Sequence, residues 1–548
     1  MSSVAELFLS RADDEAVGLR FEEELWTWRE VVEQSRRRAA LLEQLRRPGP
    51  FHVGVLLENV PEYVFLLGGA ALAGATVVGI NPTRRGEELA RDIRHTDCQV
   101  VLTDTAQAPL LRGLDIGARE LLVDSDEYAA ALGSAPPWPD DHAVPTPGTL
   151  YLLLFTSGST GAPKAVKVSQ GRLADAGALM AKGSGFGGGD ALYCAMPLFH
   201  GNALNTCVVP AVASGATLVL RRRFSATGFL PDVRRYAITY FNYVGRALAY
   251  ILATPAAPDD AENTLRFAFG TDASPGDIVA FRARFGCPVI EGYGSSEGAI
   301  AVAPAPDMPL GALGLPVPGT EAMIVDEAGN ELPRAVFDDE GRLVNASQAI
   351  GEIVSRDGAS RFEGYYANPE AEAERTRGGW YWSGDLGYRD EHGYFYFAGR
   401  TSDWLRVDGE NFAGAPVERI LERYGPVRVA VVYPVPDPRT GDQVMATLQL
   451  DPGAGLDPDD FASWLATQPD LGTKWAPRLV RVSDHVPLTA SGKVDKRPLR
   501  AERWETPDAL WWWPPDERAV RYRRFTADDA AWLAEQFAAH GRDAYLRA

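Results

Sequence analysis

The chain has 548 residues, of which 46% are apolar, and a formal net charge of −20. This length exceeds what one hydrophobic core usually supports, so we expect at least two domains. The acidic balance disfavours nucleic acid and anionic membrane surfaces as partners. The N-terminus lacks a signal-peptide pattern, and no apolar run approaches the roughly 20 residues that span a bilayer. Four scattered cysteines favour a reduced, cytoplasmic setting.

Apolar, strand-like runs alternate with helical stretches through residues 1–400, which is the pattern of a parallel sheet with crossover helices. Residues 53–57, a helix over 61–72 and a strand over 75–80 form one such unit. A Pro/Asp-rich loop over 134–148 then leads to a further apolar strand. The fold class predicted for this part is α/β, with parallel-rich sheets and flanking helices.

A glycine- and hydroxyl-rich segment follows the apolar strand 151–155, and it reads Thr156-Ser157-Gly158-Ser159-Thr160-Gly161-Ala162-Pro163-Lys164. Glycine lets the backbone approach a bulky anion with its N–H groups, the hydroxyls add donors and the lysine adds charge. The spacing is not that of a P-loop. A flexible Ser/Gly linker has a similar composition, but the strand before the segment and the lysine-containing run after it favour a phosphate cradle.

Four further motifs follow in order. The first is a second glycine-rich turn after an apolar strand, and the others lie near residues 385, 400 and 493; they read Gly292-Tyr293-Gly294-Ser295-Ser296-Glu297-Gly298, Trp382-Ser383-Gly384-Asp385-Leu386-Gly387, Gly399-Arg400-Thr401-Ser402-Asp403 and Leu488-Thr489-Ala490-Ser491-Gly492-Lys493-Val494-Asp495-Lys496.

Beyond residue 400 the pattern changes to a compact unit with its own strands over 427–435 and 444–450. We place the domain boundary at 401–402.

The tail beyond Lys493 carries three consecutive tryptophans at 511–513 and a final helix. Thr526 is the expected N-cap of that helix, with Asp529 three residues on. Leu533 and Phe537 form an i, i+4 packing stripe. A lipid anchor is one interpretation of the tryptophans, but aromatic residues in an acidic context favour packing onto their own domain.

Taken together, the five motifs resemble those of the adenylate-forming superfamily: acyl-CoA synthetases, peptide-synthetase adenylation domains and luciferases. The tail and residues 241–252 resemble the branch of fatty-acid transport proteins and very-long-chain acyl-CoA synthetases. The resemblance implies a large domain over 1–400 and a small, mobile α+β domain over 401–548, which turns about a hinge at Ser402. It also implies ATP, Mg²⁺ and CoA as cofactor and co-substrates, and a carboxylic acid as substrate.

The same resemblance assigns roles to individual residues. The catalytic residues are Lys493, Lys164 and Glu297, and Glu297 is also the metal ligand. The nucleotide-binding residues are Thr156, Ser157, Gly158, Ser159, Thr160, Gly161, Lys164, Gly270, Thr271, Asp272, Tyr293, Gly294, Ser295, Ser296, Asp385 and Arg400. The CoA-binding residues are Arg406, Gly409, Glu410 and Asn411. The acyl-pocket residues are His200, Asn202, Tyr243, Val244 and Gly245.

The predicted function is an acyl-CoA ligase that activates a long-chain or bulky apolar acid, such as a fatty, steroid or terpenoid acid, through an acyl-AMP intermediate. Two alternatives remain open: the enzyme forms only the thioester from a preformed adenylate, or it loads a carrier-protein thiol. Serine at 296, 383 and 402, where the family has other residues, keeps the first alternative open. A non-enzymatic carrier of lipid acids is disfavoured by the motifs. We expect no nucleic acid or membrane span, and a homodimer is possible.

Overall fold

The computed structural model describes residues 2–156, 164–271, 273–300, 302–305, 308–317, 319–407, 410–439, 441–489, 492–515 and 519–546. The chain forms two compact units. The first unit comprises Met1–Ala299, Ala359–Gly378 and Ala490–Gly492. The second comprises Ile300–Gly358, Gly379–Thr489 and Lys493–Ala548. The boundary at 401–402 stays a prediction.

The strands, in chain order, are β1 (Val17–Phe21), β2 (Glu24–Thr27), β3 (His52–Leu56), β4 (Thr76–Gly79), β5 (Cys98–Thr103), β6 (Arg119–Leu122), β7 (Leu150–Thr156), β8 (Lys164–Ser169), β9 (Ala191–Cys194), β10 (Thr217–Leu220), β11 (Tyr240–Val244), β12 (Phe267–Thr271), β13 (Val289–Glu291), β14 (Val302–Ala303), β15 (Leu315–Pro316), β16 (Ala322–Val325), β17 (Gly351–Ser355), β18 (Tyr381–Arg389), β19 (Phe395–Arg400), β20 (Trp404–Val407), β21 (Glu410–Ala413), β22 (Val427–Pro436), β23 (Asp442–Leu450), β24 (Leu479–Val482), β25 (Ala509–Trp512) and β26 (Arg523–Arg524).

The α-helices are α1 (Val4–Leu9), α2 (Trp28–Leu45), α3 (Pro61–Ala73), α4 (Gly86–His95), α5 (Asp126–Ser134), α6 (Gln170–Ser184), α7 (Gly201–Ala203), α8 (Val209–Ser214), α9 (Ala226–Tyr236), α10 (Ala247–Leu252), α11 (Pro275–Phe285), α12 (Ala346–Ala349), α13 (Gly358–Arg361), α14 (Pro369–Arg375), α15 (Gly414–Leu421), α16 (Pro458–Ala466), α17 (Lys496–Glu502) and α18 (Ala527–Ala539). A π-helical turn, Leu204–Val208, joins α7 to α8. Short 3₁₀ turns lie at Ala108–Leu110, Arg377–Gly379, Thr401–Asp403 and Asp543–Leu546. No helix in the described part of the chain is long and apolar enough to cross a membrane.

The first unit contains two parallel-rich sheets. One has six strands in the order β6-β5-β3-β4-β7-β8, in which only β8 is antiparallel to its neighbour. The other has seven strands in the order β13-β12-β11-β9-β10-β1-β2, in which only β2 is antiparallel. The predicted fold class is therefore confirmed.

Small residues allow the helices of this unit to pack closely. Helix α3 is buried along nearly its whole length, as expected for a crossover helix that is apolar on all sides. A Cβ atom at Gly68 would lie 2.1 Å from the Ser35 hydroxyl oxygen of α2. Another at Gly69 would lie 2.6 Å from the Cβ of Arg38. Glycine at these positions therefore sets the distance between α2 and α3.

The second unit contains an antiparallel sheet, β16-β17-β18-β19, a hairpin, β20-β21, and a five-stranded mixed sheet, β22-β23-β24-β25-β26. The last two strands of the mixed sheet come from the tail. Trp512 and Trp513 are buried, and the guanidinium groups of Arg523 and Arg478 lie over their rings. The tryptophans thus pack onto their own domain, as predicted.

The final helix also agrees with the sequence. Thr526 caps α18, and Asp529 completes a capping box with it. Leu533 and Phe537 are buried in the same apolar cluster as Trp512. The tail therefore contributes two strands to the five-stranded mixed sheet, and its final helix packs in the same apolar cluster.

Candidate active site

The carboxyl ends of β11, β12 and β13 meet at one edge of the seven-stranded sheet, because the three strands are parallel neighbours. The Gly245 N–H donates to the Thr271 carbonyl at 2.8 Å. The Gly292 N–H donates to the Gly270 carbonyl at the same distance. The predicted acyl segment at 243–245 and the predicted nucleotide segments at 270–271 and 293–297 are thus brought to one edge. Ligands of open α/β sheets bind outside such edges.

A buried hydrogen bond braces this edge. The Tyr243 hydroxyl donates to Glu291 Oε1, and both side chains are buried. The tyrosine ring passes over Gly270 on the intervening strand, where a Cβ atom would lie 2.6 Å from the ring. Glycine at 270 therefore allows Tyr243 on β11 to reach Glu291 on β13. Because its hydroxyl is already engaged, Tyr243 shapes this part of the site from a fixed position.

The predicted phosphate cradle connects two adjacent antiparallel strands, since Thr156 at the end of β7 pairs with Lys164 at the start of β8. Ser157, Gly158, Ser159, Thr160 and Gly161 lie outside the described residues, as does Asp272. The Lys164 ammonium lies 3.6 Å from Glu374 Oε2 and 5.9 Å from the centroid of the Tyr365 ring. The structure therefore describes the first and last residues of the predicted cradle, Thr156 and Lys164.

Glu297, the predicted metal ligand, is buried and accepts a hydrogen bond of 2.8 Å from the hydroxyl of Tyr365. Burial and the neighbouring carboxylate both raise the pKa of the Tyr365 hydroxyl. The hydroxyl therefore stays protonated and acts as a donor to the carboxylate. Lys164 and Glu297 are thus both neighbours of one tyrosine, with the cation over its ring and the carboxylate at its hydroxyl.

Tyr365 is positioned by an extension of the six-stranded sheet. It forms a bridge with Val166 of β8, and the Tyr366 N–H donates to the Ala165 carbonyl at 2.8 Å. Glu372 Oε1 accepts from the Tyr365 N–H at 2.7 Å. Tyr365 was not among the predicted site residues. Its signal was the glycine-aromatic run Gly364-Tyr365-Tyr366, which carries no chemistry by itself.

Arg172 of α6 holds the turn that carries Glu297. Its guanidinium donates to the carbonyl of Ser296 and, at 3.1 Å, to the carbonyl of Lys167. Gly298 has φ +64°, and a Cβ atom there would lie 2.6 Å from the same guanidinium. The turn 296–298 therefore requires glycine at its last position. Arg172 is a second positioning residue that the sequence did not reveal.

The predicted acyl entrance lies nearby. A Cβ atom at Gly201 would lie 3.1 Å from Leu154 and 3.8 Å from the Ser296 hydroxyl oxygen, so the His200–Asn202 region approaches the Glu297 turn. His200 is half-buried, and its ring lies 4.5 Å from that of Phe199, measured between centroids. The π-helical turn Leu204–Val208 follows directly. Such turns are frequent at functional sites.

In the second unit, Asp385 and Arg400 are paired across β18 and β19. Arg400 Nε lies 3.8 Å from Asp385 Oδ1. The Ser383 hydroxyl accepts the Asp385 N–H at 2.9 Å and donates to the Ile353 carbonyl at 2.7 Å. Serine at 383 therefore supplies the backbone contacts that hold this strand end. Asp385 and Arg400, which are both predicted to bind nucleotide, are therefore neighbours in this unit.

Lys493 lies in a tight turn, in which the Thr489 N–H donates to the Lys493 carbonyl at 2.7 Å and the Lys493 N–H donates to the Thr489 hydroxyl at 3.2 Å. The chain then enters α17, where Arg500 bonds Asp403 at 2.5 Å and the Lys496 ammonium lies 3.9 Å from the same carboxylate. Asp403 adjoins the predicted hinge at Ser402. It is a further residue whose contacts the sequence did not reveal.

The predicted CoA segment forms the β20-β21 hairpin, in which Arg406 pairs with Asn411. The Arg406 N–H donates to Asp442 Oδ2 at 3.1 Å. Glu410 begins β21, whereas Gly409 lies outside the described residues. The hairpin therefore places three of the four predicted residues on one small element.

Two family models match the chain: the AMP-binding enzyme model over residues 9–366 and the AMP-binding enzyme C-terminal domain over residues 416–493. The protein belongs to the AMP-binding enzyme family, and the resemblance to the adenylate-forming superfamily is confirmed.

Named relatives give a narrower comparison. Steroid-22-oyl-CoA synthetase of Rhodococcus jostii (strain RHA1) is 51% identical over 556 residues, which cover 100% of this chain and 99% of that protein. Medium/long-chain-fatty-acid–CoA ligase FadD17 of Mycobacterium marinum (strain ATCC BAA-535 / M) is 45% identical over 510 residues, covering 93% and 98%. The ATP-bound structure of MatB from Rhodopseudomonas palustris has a TM-score of 0.80 at 24% identity, covering 91% and 97%, and is similar in fold. The predictions of an ATP-dependent acid–thiol ligase and of ATP and CoA as co-substrates are confirmed.

Proposed function

We propose that the protein converts a steroid carboxylic acid into its CoA thioester through an acyl-AMP intermediate. The observation that carries this proposal is the 51% identity, over the whole of both chains, with a protein named for a steroid-22-oyl substrate. A second candidate is a medium- or long-chain fatty acid, favoured by the 45% identity with FadD17. Both candidates are bulky, apolar acids, as expected from the sequence.

The chemistry explains why the site needs fixed charges and no protein nucleophile. A carboxylate is a poor electrophile, because its leaving group would be oxide. Attack of the carboxylate oxygen on the α-phosphate of ATP forms a mixed anhydride and expels pyrophosphate. The thiolate of CoA then attacks the acyl carbon and releases AMP. The protein accelerates the first step by positioning the reactants and by electrostatic stabilisation of the transition state.

In the first unit, Lys164 is the cation for the β- and γ-phosphates. Its side chain is largely buried, with 13% exposed, whereas the side chain of the nearby Glu374 is 73% exposed, so phosphate oxygens can replace this surface partner. The hydroxyls and backbone N–H groups of the cradle, between Thr156 and Lys164, would donate further hydrogen bonds to the phosphates. Tyr293 would stack on adenine, with Gly270 and Thr271 on the opposite side.

The site residues fit Mg²⁺. The ion prefers oxygen ligands and is commonly held by one or two carboxylates together with substrate phosphates. Glu297 offers one buried carboxylate, with Oε1 bonded to Tyr365. No cluster of three or more potential ligands of the Asp, Glu, His or Cys types occurs among the described residues. Glu297 would therefore hold the ion jointly with the phosphates, and the ion would neutralise their charge.

In the second unit, Asp385 would accept hydrogen bonds from the two ribose hydroxyls, and Arg400 would act beside it as a cationic donor. Lys493 would neutralise the carboxylate and the α-phosphate as they approach each other. For the second step, the hairpin with Arg406, Gly409, Glu410 and Asn411 would present CoA, after rotation of a C-terminal domain about Ser402. These roles, the 1–400 and 401–548 domains, the homodimer, the cytoplasmic location and the narrower branch of the superfamily stay predictions.

A competition assay tests the substrate class. Purified enzyme is given ATP, Mg²⁺, CoA, one steroid-22-oic acid and one long-chain fatty acid in equal amounts, and both CoA esters are quantified by mass spectrometry. We expect the steroid ester to form at least ten times faster. Preferential formation of the fatty acyl ester would show that the substrate is a fatty acid, the second candidate. A further arm with holo-carrier protein in place of CoA distinguishes the acceptor thiols.

A further inference from the structure

Arg542 is held in a fixed position just beyond the final helix. The Gly541 N–H donates to the Ala538 carbonyl at 3.0 Å, and the Arg542 N–H donates to the Phe537 carbonyl at 2.9 Å. Gly541 has φ +67°, so these two bonds form a Schellman motif that ends α18. The guanidinium carbon lies 4.1 Å from the centroid of the Tyr545 ring. Because Phe537 is fully buried, the backbone of Arg542 is anchored to the apolar cluster against which the helix packs.

The Arg542 guanidinium bonds both ends of a loop that is distant in sequence. This β22–β23 loop comprises residues 437–441, of which Thr440 lies outside the described residues. Arg542 Nε donates to the Asp437 carbonyl at 3.0 Å, and Nη2 donates to the Gly441 carbonyl at 3.2 Å. The Gly441 carbonyl also accepts the Asp437 N–H at 3.1 Å. One side chain therefore holds the two ends of the loop together.

The β22–β23 loop lies against the backbone of Arg406, on the hairpin that is predicted to bind CoA. Gly441 has φ +60°, and a Cβ atom there would lie 2.4 Å from the Arg406 carbonyl oxygen. Asp442, the next residue, accepts the Arg406 N–H on its Oδ2 at 3.1 Å. Burial raises the pKa of the Asp442 carboxyl, and the charges of Arg406 and Arg542 oppose this shift. The loop, the hairpin and Arg542 therefore meet around one carboxylate.

We propose that Arg542 is a positioning residue for thioester formation, which fixes the β20-β21 hairpin through the β22–β23 loop. This inference rests on the proposed function, in which that hairpin presents CoA. The guanidinium bonds the loop carbonyls, so Arg542 acts on CoA through the loop and the hairpin. Without these bonds the hairpin can shift, and small displacements of a positioning group lower a rate strongly.

The geometry of the guanidinium explains why an arginine is needed at this position. Its N–H donors lie in a rigid planar fork, so one side chain can bond two carbonyls at once. A lysine ammonium carries the same charge but is a compact donor on a flexible stem. A direct contact with a CoA phosphate needs positive charge, which lysine also supplies, whereas holding both ends of the loop needs the fork. Arg542→Lys therefore separates the two roles, and Arg542→Met removes charge and fork together.

The test measures the two half-reactions separately, with the acid that the competition assay selects. Thioester formation from the supplied acyl-adenylate is followed over a range of CoA concentrations, and adenylate formation is followed by ATP–pyrophosphate exchange. Arg542→Met should lower kcat/KM for CoA by about tenfold and change the exchange rate by less than about twofold, because the hairpin serves only the second step. Arg542→Lys should stay at least about threefold below wild type in kcat/KM for CoA.

Arg523 supplies the matched control, because it stabilises the opposite end of the same helix. Its Nη1 and Nη2 donate to the two carboxylate oxygens of Asp529 at 2.8 and 2.7 Å, and its guanidinium lies over the Trp512 ring. Arg523→Met should lower the thermal midpoint at least as much as Arg542→Met, because it removes two charge-assisted hydrogen bonds. It should nevertheless leave kcat/KM for CoA within about twofold of wild type.

Asp442→Ala tests the next contact between the loop and the hairpin. It removes the acceptor of the Arg406 N–H and should therefore produce the same selective loss in kcat/KM for CoA. This variant reports on the inference even where Arg542→Met fails to fold.

Three outcomes overturn the inference alone. They are an unchanged kcat/KM for CoA in folded Arg542→Met or Asp442→Ala enzyme, equal losses in both half-reactions, and full recovery by Arg542→Lys, which would show that charge is sufficient. Wild-type enzyme that forms no CoA ester from either acid of the competition assay overturns the proposed function, and this inference with it.

Discussion

The hydrogen bond between Tyr365 and Glu297 offers a sharp test of the site geometry. Tyr365→Phe removes one oxygen and keeps the ring that lies beneath the Lys164 ammonium. The lost bond is 2.8 Å long, joins two buried side chains and ends on a carboxylate. Bonds to charged groups contribute about 1.5–3 kcal/mol. Adenylate formation should therefore slow by about 10- to 150-fold, since every 1.4 kcal/mol is tenfold.

The assay is ATP–pyrophosphate exchange at saturating acid, measured over a range of Mg²⁺ concentrations. Because Tyr365 orients the proposed metal ligand, the Mg²⁺ concentration for half-maximal exchange should rise in the variant. Thioester formation from a supplied acyl-adenylate should change by less than twofold, because the Mg²⁺ that Glu297 would hold is needed only where ATP phosphates are bound. A smaller but parallel loss in both half-reactions would indicate a general effect on folding.

The adjacent residue is the control. The Tyr366 hydroxyl also donates to a carboxylate, Asp97 Oδ2, at 2.7 Å, but this bond is exposed. Tyr366→Phe should change exchange by less than twofold, since exposed pairs contribute little. If Tyr365→Phe matches its control in rate and in Mg²⁺ dependence, the proposed role of Glu297 is refuted.

Three further predictions follow from other parts of the molecule. Lys493→Ala should lower adenylate formation by several orders of magnitude and spare thioester formation from acyl-AMP; equal losses in the two assays would contradict its role. Asp385→Ala should weaken binding of both ATP and an acyl-AMP analogue at least tenfold by calorimetry, and unchanged affinities would contradict ribose binding. Hydrogen bonds from Arg523 lower the pKa of Asp529 from 3.8 to about 2, so its contribution to stability is present above the unfolded pKa and is lost as the pH falls towards 2. Asp529→Asn should thus lower the free energy of unfolding by about 1–2 kcal/mol at neutral pH. In urea unfolding, the difference in this free energy between variant and wild type should become smaller below about pH 4. A difference that does not change with pH would contradict the proposed linkage.

Local patterns predicted the elements that depend on local interactions. The alternation of apolar runs with helices gave the parallel-rich sheets, and the Thr526–Asp529 capping box lies where its spacing indicated. The order of five motifs identified the family. Each of these signals lies within a short stretch of chain, where strand periodicity, capping and turn chemistry operate.

Contacts between distant residues could not be predicted in this way. Glu297 and Tyr365 are 68 residues apart, and Tyr243 and Glu291 are 48 residues apart. Each pair meets because strand order or a sheet extension brings it together. Single-sequence patterns therefore located segments of the site, whereas tertiary structure supplied the positioning residues.

The central claim is that the acid is activated as an acyl-adenylate before it reaches CoA. Transfer of oxygen-18 tests it directly: the enzyme is given a steroid-22-oic acid labelled in its carboxylate, together with ATP, Mg²⁺ and CoA. Because the carboxylate oxygen attacks the α-phosphate, we expect AMP that carries one labelled oxygen for each labelled thioester formed. Label in inorganic phosphate accompanied by ADP, or thioester formed with unlabelled AMP, would contradict it.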